Sequence, residues 1–331
     1  MNSSNAVAVD ETSTLQGRVF KKSVGTYFVQ VDGRTVVCSI SNRLRKQLVY
    51  PLADPSSRRR SVDAVKGIRM VDPVAIGDIV AFVPAGDGSG VIKEVLPRTK
   101  KFSRRAAGDR PIEQVVVANV DRIITVIAAA HPAPKWNLLD RYLADAESAE
   151  LDAVICITKM DLAEADRLNR ELGVFEKIGY TVLRTCALTG EGMDEFKELL
   201  RGNVSVLVGK SGVGKTTLLN AVQPELGLRV KEVSTSTDKG KHTTSHLEMF
   251  ALDFGGSVID TPGMREFGLY GDSGVELASL FREMRPYLGQ CRFGASCSHT
   301  HEPDCAIKEA VEAGDISERR YKSFVRMSGQ V

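Results

Sequence analysis

Hydrophobic and polar positions alternate in short runs from Gln16 to Pro97, and turn-forming residues separate the runs. Strand patterns lie over residues 17–20, 27–31, 35–40, 77–83 and 90–95. Asp32-Gly33, between the second and the third run, is a strong hairpin signal. Five short strands within about eighty residues predict a small closed barrel, and the OB-fold is the common barrel of this kind.

The pattern changes after residue 115 to longer apolar runs that alternate with amphipathic helical patterns. Strands are predicted over residues 120–130, 151–157, 181–184, 204–208 and 257–259, and helices over 138–149, 193–200 and 217–222. This alternation is typical of a parallel sheet that helices cover on both faces. Beyond it, residues 281–286 and 307–327 are predicted to be helical, with Arg319, Arg320 and Lys322 exposed.

Charge is unevenly distributed along the 331 residues. The net charge is only +2, yet the first 115 residues hold 19 Lys and Arg against 11 Asp and Glu. This basic first third favours contact with a polyanion, and a solvated basic surface is the alternative. Within it, a polar insertion over residues 51–66 carries Arg58, Arg59 and Arg60, which are placed to touch phosphate.

Composition sets the class of protein. With 43% hydrophobic and 26% charged residues the chain is ordinary for a globular protein, and no apolar run approaches the length that crosses a bilayer. Residues 1–15 show no targeting signal and are predicted to be a disordered tail. We therefore expect a cytoplasmic protein without a membrane partner. Since the sequence shows no coiled coil or obvious apolar patch, we also expect a monomer.

A phosphate-binding loop is the strongest chemical signal. A strand pattern leads into a GxxxxGK[ST] match, and a helix pattern that begins at Thr217 leads out of it. The glycines allow backbone N–H groups to turn inward around phosphates at the positive end of that helix. Lys215 is expected to contact the β- and γ-phosphates, and the Thr216 hydroxyl to bind Mg²⁺. The loop consists of Gly209, Lys210, Ser211, Gly212, Val213, Gly214, Lys215 and Thr216.

A second phosphate motif, Asp260-Thr261-Pro262-Gly263, follows the strand pattern over residues 257–259. Asp260 occupies the position of a magnesium-holding aspartate, and Gly263 is placed to offer its N–H to the γ-phosphate. The polar segment 234–246, between this motif and the P-loop, is typical of a switch that nucleotide orders. Within the switch, Thr243 or Thr244 is expected to reach Mg²⁺.

The water-positioning group is not evident from the motifs. Met264 stands where Ras-like enzymes carry a glutamine, and an apolar residue does not position water. The sequence therefore predicts slow intrinsic hydrolysis. His242, beside the switch threonines, is the candidate for this role, and a loop histidine without a role is the alternative.

Two further motifs favour guanine over adenine. Thr158-Lys159-Met160-Asp161 follows a strand and resembles NKxD, in which the aspartate accepts two hydrogen bonds from the guanine edge. Adenine presents no matching donors there, so a buried Asp161 would discriminate strongly and disfavours a P-loop ATPase or a small-molecule kinase. Cys186-Ala187-Leu188-Thr189-Gly190 resembles the SAxTG loop that closes over the base, with Ala187 supplying an N–H.

The order of these motifs is unusual. The base motifs precede the phosphate motifs along the chain, which reverses the common order and predicts a circularly permuted GTPase domain. Such a permutation is tolerated when the original chain ends lie close together. The predicted helix over residues 193–200 then leads directly into the P-loop strand.

A cluster of cysteine and histidine near the end of the sequence predicts a structural zinc site. Three thiolates and one imidazole suffice for a closed tetrahedral site, and an accidental cluster is the alternative. His301 is a rival of His299, and the spacing does not choose between them. The candidate ligands are Cys291, Cys297, His299 and Cys305, whereas Cys38, Cys156 and Cys186 are predicted to be reduced core residues.

Together these features resemble the ribosome small-subunit-dependent GTPase A family (RsgA, also YjeQ), over nearly the whole chain after residue 15. Besides the basic barrel, the permuted motifs and the Cys-Cys-His-Cys tail, the resemblance rests on residues 117–122, Asp140-Arg141-Tyr142-Leu143 and Lys241-His242-Thr243-Thr244. It implies a GTPase that acts late in small-subunit maturation, binds rRNA near the decoding region and is stimulated by the subunit. Thr158, Cys186 and the insertion near Arg58 depart from the family pattern.

The expected architecture is multidomain. The disordered tail (1–15) precedes an all-β OB-fold RNA-binding domain (16–98), a basic linker (99–114), an α/β P-loop GTPase domain with permuted motifs (115–275) and a mostly helical zinc-binding domain (276–331). The expected cofactors are GTP/GDP, Mg²⁺ and one structural Zn²⁺, and the expected partner is the small ribosomal subunit with its rRNA. An RNA-binding assembly chaperone, in which nucleotide is structural and hydrolysis incidental, is the alternative function.

Overall fold

The computed structural model describes residues 14–46, 72–105, 113–226, 228, 247–260 and 276–329 of the chain. These residues form two compact units. The first comprises the described residues up to Val120 together with 247–250, and the second comprises the remaining ones from Asp121 onward. Most of the predicted tail, the 51–66 insertion, and the predicted switch residues His242, Thr243, Thr244, Gly263 and Met264 lie outside the described residues.

The first unit contains a closed barrel of five strands. Its elements are β1 (Leu15–Ser23), β2 (Thr26–Val31), β3 (Arg34–Ile40), α1 (Asn42–Arg45), β4 (Ile79–Pro84) and β5 (Gly90–Val95). Strand β1 pairs antiparallel with β2 and with β4, β2 with β3, and β4 with β5, while β3 and β5 pair parallel and close the barrel. Alternate side chains such as Val19, Val29 and Phe82 are fully buried. The predicted OB-type barrel is confirmed.

Two further strands of this unit, β6 (Lys101–Arg105) and β7 (Glu113–Ala118), pair antiparallel. The interval 99–114, predicted as a linker, therefore contains β6 and the first residues of β7. Gly77 lies so close to the end of β7 that an added Cβ would come 2.0 Å from the carbonyl oxygen of Ala118. The next residue, Asp78, is fully buried and accepts hydrogen bonds of 2.7 Å from both Nε and Nη2 of Arg98.

The second unit is built on a parallel sheet with the strand order β10–β9–β8–β11–β13. These strands are β8 (Arg122–Ala128), β9 (Asp152–Thr158), β10 (Thr181–Arg184), β11 (Val204–Val208) and β13 (Ser257–Asp260). Its helices are α2 (Trp136–Ser148), α3 (Ala165–Ile178), α4 (Met193–Leu200) and α5 (Lys215–Val222). Strand β12 (Glu248–Ala251) begins in the first unit, where Glu248 lies opposite Lys21 of β1.

The central strands are apolar because helices cover them on both faces, as in most parallel sheets. Ile123 and Ile124 of β8, neighbours that point to opposite faces, are both fully buried, and so is Ile155 of β9. The carboxyl ends of parallel strands meet at one edge of the sheet, where open α/β sheets bind ligands. The predicted nucleotide motifs all follow these carboxyl ends.

The C-terminal part of the second unit contains two helices, α6 (Ala306–Ala313) and α7 (Glu318–Met327), and three 3₁₀ turns. The turns cover Leu277–Leu280, Arg282–Tyr287 and Gly294–Ser296. The helix predicted over residues 307–327 is divided because Gly314 adopts a left-handed conformation with φ of 82° and ends α6. None of the described helices has the length and apolar character needed to span a membrane.

The predicted exposure of the α7 arginines is wrong. Arg320 is 1% exposed and Arg319 is half-buried, whereas Lys322 is exposed as predicted. The physical reason is that Arg320 lies between buried carboxylates, Asp140 of α2 and Glu283, and these compensate the cost of removing its charge from water.

Candidate functional site

The phosphate-binding loop lies between the end of β11 and the start of α5. Gly209 passes so close to β8 that an added Cβ would lie 2.4 Å from the carbonyl oxygen of Val126, so the position requires glycine. Gly214 has φ of 99°, which favours glycine, and it is the N-terminal cap residue of α5. The first N–H groups of α5 are therefore presented at the carboxyl edge of the sheet, as a phosphate site requires.

Lys215 and Asp260 lie together at the base of this loop. The Lys215 side chain is buried, and its Nζ donates to the carbonyl oxygens of Gly209 at 2.6 Å and Lys210 at 3.2 Å. Burial lowers the pKa of Lys215, and the nearby Asp260 carboxylate partly opposes that shift. Asp260 is itself buried at the end of β13, and Thr216 lies in the first turn of α5. The structure thus brings the predicted phosphate and magnesium residues to one place.

The first base motif is bonded directly to the phosphate loop. Thr158, the last residue of β9, is buried, and its Oγ1 donates to the carbonyl oxygen of Val213 at 2.5 Å. The Nζ of Lys159 donates to the carbonyl oxygen of Gly212 at 2.9 Å and also to that of His131. Motifs more than fifty residues apart in sequence therefore form one contiguous site. Threonine at position 158, a departure from NKxD, supplies the hydroxyl that makes this connection.

The second base motif positions Asp161. Cys186 follows β10 and is 1% exposed, and its Sγ donates to Oδ1 of Asp161 at 3.1 Å. Asp161 itself lies in the one-turn 3₁₀ segment Met160–Leu162 at the surface and is exposed to solvent, so the burial on which strong base discrimination was expected to rest is not observed. The loop from Cys186 to Gly190 closes on itself, because the N–H of Gly190 donates to the carbonyl oxygen of Cys186 at 2.9 Å. A thiol therefore occupies the place of the usual serine hydroxyl and still donates a hydrogen bond.

Leu188 lies in this loop, and no sequence motif predicts a role for it. Its side chain is 83% exposed, two residues after Cys186, while Ala187 between them is half-buried. An exposed apolar side chain in the loop that bonds Asp161 is suited to cover one face of a flat base. The exposure of Leu188 in the structure is what identifies it. A single leucine in the sequence does not indicate whether its side chain is exposed.

The predicted zinc ligands are also brought together. Cys291, Cys297, His299 and Cys305 are all buried, and their ligand atoms lie within 4.8 Å of one another. Cys291 Sγ is 3.7 Å from Cys305 Sγ and 3.3 Å from His299 Nδ1. Tetrahedral zinc with Zn–S bonds of about 2.3 Å has S–S edges of about 3.8 Å, so the donor set and its spacing fit zinc.

The structure distinguishes the two histidines. His299 is 2% exposed and directs Nδ1 toward the thiols, and Tyr321 donates its hydroxyl to the His299 carbonyl oxygen at 2.9 Å. The His301 side chain is 77% exposed, and its Nε2 lies 3.7 Å from Glu302. His299 therefore belongs to the cluster, and His301 lies on the surface.

Helix α2 joins the sheet to the Cys- and His-rich C-terminal segment through two acids, Asp140 and Glu147, whose contacts no sequence motif predicts. Asp140 is fully buried and accepts from Arg319, Arg320 and the Ser323 hydroxyl at 2.8, 2.8 and 2.6 Å. Two helical turns along, Glu147 accepts from Arg282 Nε and Arg285 Nη2, both at 2.6 Å. The spacing of seven residues places both acids on one face, which is the only sequence signal for this pair.

Four predicted site residues, His242, Thr243, Thr244 and Gly263, lie outside the described residues, and their roles stay predictions. The remaining predicted nucleotide residues lie at the carboxyl edge of the sheet. The two base motifs lie at the ends of β10 and β9, the phosphate loop follows β11, and Asp260 ends β13. The chain order of these motifs is permuted, but their spatial order forms one continuous site.

Comparison with known proteins agrees with this arrangement. The family model described as RsgA GTPase matches residues 95–270. A relative from Phocaeicola vulgatus, named small ribosomal subunit biogenesis GTPase RsgA, is 35% identical over 317 residues, which cover 95% of this chain and 96% of the relative.

Two solved structures share the fold over almost their full length. YjeQ from Thermotoga maritima is 31% identical, with a TM-score of 0.69, and the match covers 96% of this chain and 99% of that chain. YloQ, described as a circularly permuted GTPase, is 27% identical, with a TM-score of 0.66 and coverage of 97% and 96%. The permuted order of motifs, the geometry of the site and these similarities agree, and the chain belongs to the RsgA GTPase family.

Proposed function

We propose that this chain hydrolyses GTP during maturation of the small ribosomal subunit and that the subunit stimulates the hydrolysis. One observation carries the nucleotide assignment: the base motif is hydrogen-bonded to the phosphate loop, through Thr158 to Val213 and Lys159 to Gly212. A base-recognition motif held against a phosphate loop suits a single nucleotide that spans both. The ribosomal assignment is supported by the name of the Phocaeicola vulgatus relative.

Charge stabilisation is the main task of a phosphoryl-transfer site. The N–H groups at the start of α5 and the Lys215 ammonium supply positive charge, and burial of Lys215 strengthens its interaction with phosphate. The Thr216 hydroxyl and the Asp260 carboxylate are the proposed magnesium ligands. When it is bound, Mg²⁺ would neutralise part of the negative charge of the β- and γ-phosphates.

Guanine selection is assigned to Asp161. Its carboxylate accepts two hydrogen bonds from the guanine edge, and the 3.1 Å bond from Cys186 fixes the orientation of that carboxylate. The Ala187 N–H and the Leu188 side chain complete the base pocket in this proposal. We keep His242 as the proposed water-positioning group, with Thr243 or Thr244 on Mg²⁺ and the Gly263 N–H on the γ-phosphate.

RNA binding is assigned to the barrel. A cleft of about 670 Å³ in the first unit is lined by four basic side chains and one acid, Glu94, besides apolar residues; the basic ones are Arg43, Lys93, Arg98 and Lys101. Asp78 and Glu113 pair with Arg98 and Lys101, whereas Arg43 and Lys93 are exposed. A cleft with exposed cations suits the RNA backbone.

The RNA assignment has a direct test. Replacing both Arg43 and Lys93 by alanine is expected to weaken rRNA binding and to reduce the slope of log affinity against log salt by about two. Arg34→Ala, an exposed cation outside the lining of this cleft, is the matched control. An unchanged salt slope in the double variant would remove this cleft from the RNA interface.

One structural zinc is assigned to Cys291, Cys297, His299 and Cys305. Four protein ligands leave no open coordination position, so the metal stabilises the loop instead of activating a water molecule. Metal analysis of the purified chain is expected to give one zinc per chain.

The deciding experiment measures hydrolysis of GTP and of ATP, each with and without purified small ribosomal subunits. We expect slow hydrolysis of GTP without the subunit, strong stimulation of that hydrolysis by the subunit, and no turnover of ATP. Asp161→Ala is expected to abolish the preference for GTP. Asp166→Ala, an exposed acid in the first turn of α3, is the control and should behave as the native chain.

The outcomes separate the alternatives. GTP hydrolysis without stimulation would contradict the proposed activation by the small subunit and would favour the alternative, an RNA-binding assembly chaperone in which hydrolysis is incidental. ATP turnover comparable with GTP turnover would mean that Asp161 does not read the base.

A further inference from the structure

Glu276 contacts the ring of His299 on the side opposite the thiols. His299 Nδ1 lies 3.3 Å from Cys291 Sγ and 3.6 Å from Cys305 Sγ, while Nε2 lies 2.8 Å from Oε1 of Glu276. The His299 ring is buried, whereas the Glu276 side chain is 48% exposed. Nδ1 therefore faces the cysteine thiols, and Nε2 faces the Glu276 carboxylate.

This geometry favours one tautomer of His299. A neutral imidazole carries one N–H, and the nitrogen that binds a metal is the one without it. A carboxylate at 2.8 Å from Nε2 accepts a hydrogen bond, which favours the proton on Nε2 and leaves the Nδ1 lone pair directed at the three thiols. The same bond fixes the rotation of the ring and makes Nδ1 a stronger donor to the metal.

The other acids of the zinc-binding loop are engaged elsewhere. Glu302 accepts from the Ser298 N–H at 2.9 Å and the Ser298 hydroxyl at 3.0 Å. Asp304 pairs with Arg292 at 2.8 Å. These contacts shape the loop, whereas Glu276 contacts a ligand ring directly.

Glu276 is also held by its own backbone. Its carbonyl oxygen accepts from the N–H of Ser279 at 2.9 Å and from the Ser279 hydroxyl at 2.7 Å, so it begins the 3₁₀ turn Leu277–Leu280. That turn belongs to the buried cluster that includes Ala278, Leu280 and Ala144 of α2. The carboxylate therefore projects from a fixed backbone position.

We propose that Glu276 is the positioning residue of the metal site: it orients His299 and sets the tautomer in which Nδ1 binds zinc. This inference rests on the proposed zinc site and extends it to a residue fifteen positions before Cys291, the first of the proposed ligands. Sequence spacing among Cys and His carries no information about it.

The test is zinc competition with a coloured chelator on the full-length, zinc-loaded chain. Glu276→Ala is expected to weaken zinc binding about 10- to 100-fold, the range for loss of such a carboxylate partner. Glu276→Gln retains an amide oxygen that accepts from Nε2–H, so a smaller loss is expected. Asp304→Asn changes an exposed acid of the same loop and is the matched control, expected to stay within about twofold of the native affinity.

A cobalt-substituted sample gives a second readout. The visible absorption bands of Co²⁺ report the ligand geometry, and we expect them to shift in Glu276→Ala and to be restored largely in Glu276→Gln. Circular dichroism at saturating zinc checks that each variant is folded, as expected for a half-exposed side chain.

The outcomes are distinguishable. A native chain that holds no stoichiometric zinc would contradict the metal site itself. A native chain with zinc, together with a Glu276→Ala variant of unchanged affinity and unchanged cobalt spectrum, would overturn only the role of Glu276. Equal losses in Glu276→Ala and Asp304→Asn would also overturn it, because loop charge and not the contact with His299 would then explain the effect.

Discussion

Replacement of Arg320 by methionine tests the buried contact between α7 and α2. The Arg320 guanidinium donates to Asp140 at 2.8 Å and to both oxygens of Glu283, at 2.6 and 2.9 Å. It also lies 4.7 Å from the centre of the Phe281 ring and 5.4 Å from that of Phe175. Methionine has a volume similar to that of arginine but carries no charge, so the substitution removes mainly the charge and its hydrogen bonds.

The expected loss follows from what remains after the substitution. Asp140 keeps Arg319 and Ser323, but Glu283, whose side chain is 6% exposed, loses both bonds from Arg320. Removing one partner of a buried ion pair costs about 3–5 kcal/mol, because the other charge stays buried without compensation. For a unit of this size, each kcal/mol lowers Tm by about 2–4 °C, so we expect a fall of about 6–20 °C.

Trp136 provides the assay. It is the only tryptophan of the chain, and its ring lies 6.1 Å from Phe175 and 5.7 Å from the Arg319 guanidinium. Its fluorescence therefore reports the α2–α7 contact during urea and thermal unfolding.

Lys322→Met is the matched control, on the same helix and two residues away. Lys322 is exposed and pairs with Glu318 at 2.6 Å, a surface pair worth less than about 1 kcal/mol. A loss below about 1 kcal/mol for Arg320→Met, or an equal loss in both variants, would refute the claim that the buried network holds α7 in place.

Three further results are expected. Burial raises the pKa of Asp145 to about 7, so ionisation of this acid lowers the stability of the folded chain as pH rises from about 4 to about 7. Asp145→Asn should therefore raise the free energy of unfolding by up to about 4 kcal/mol at pH 8 and change it little at pH 4, as measured by urea unfolding at both pH values. Cys186→Ala should weaken GTP binding about tenfold by removing the bond to Asp161, and Cys186→Ser should not, in titrations with fluorescent nucleotide. Lys215→Ala should lower single-turnover hydrolysis about 100-fold or more; equal rates would exclude phosphate contact by this ammonium.

The barrel and the sheet were predictable because hydrophobic periodicity and local motifs carry them. Alternating runs identified β2 and β3, and the strand–loop–helix context of Gly209 to Thr216 identified the edge where the motifs meet. Parallel strands place their carboxyl ends together, so motifs that follow strands converge even when their chain order is permuted.

The contacts among polar residues were not predictable in the same way. Arg320 reads as a surface residue on an amphipathic helix, and its burial depends on Asp140, 180 residues away in sequence. The connection from Thr158 to the phosphate loop and the contact of Glu276 with His299 have the same origin. Such contacts require elements distant in sequence to pack together, and periodicity within one element does not encode them.

Helix α2 shows why the Cys- and His-rich C-terminal segment and the sheet that carries the nucleotide motifs belong to one compact unit. One face of α2 buries Leu139 and Leu143 in the second unit's core, and another presents Asp140 and Glu147 to four arginines. Because a buried carboxylate is costly without partners, the packing of α2 against the sheet is more favourable when the C-terminal arginines are in place. We therefore expect the stability of the sheet and of the Cys- and His-rich C-terminal segment to be coupled through α2.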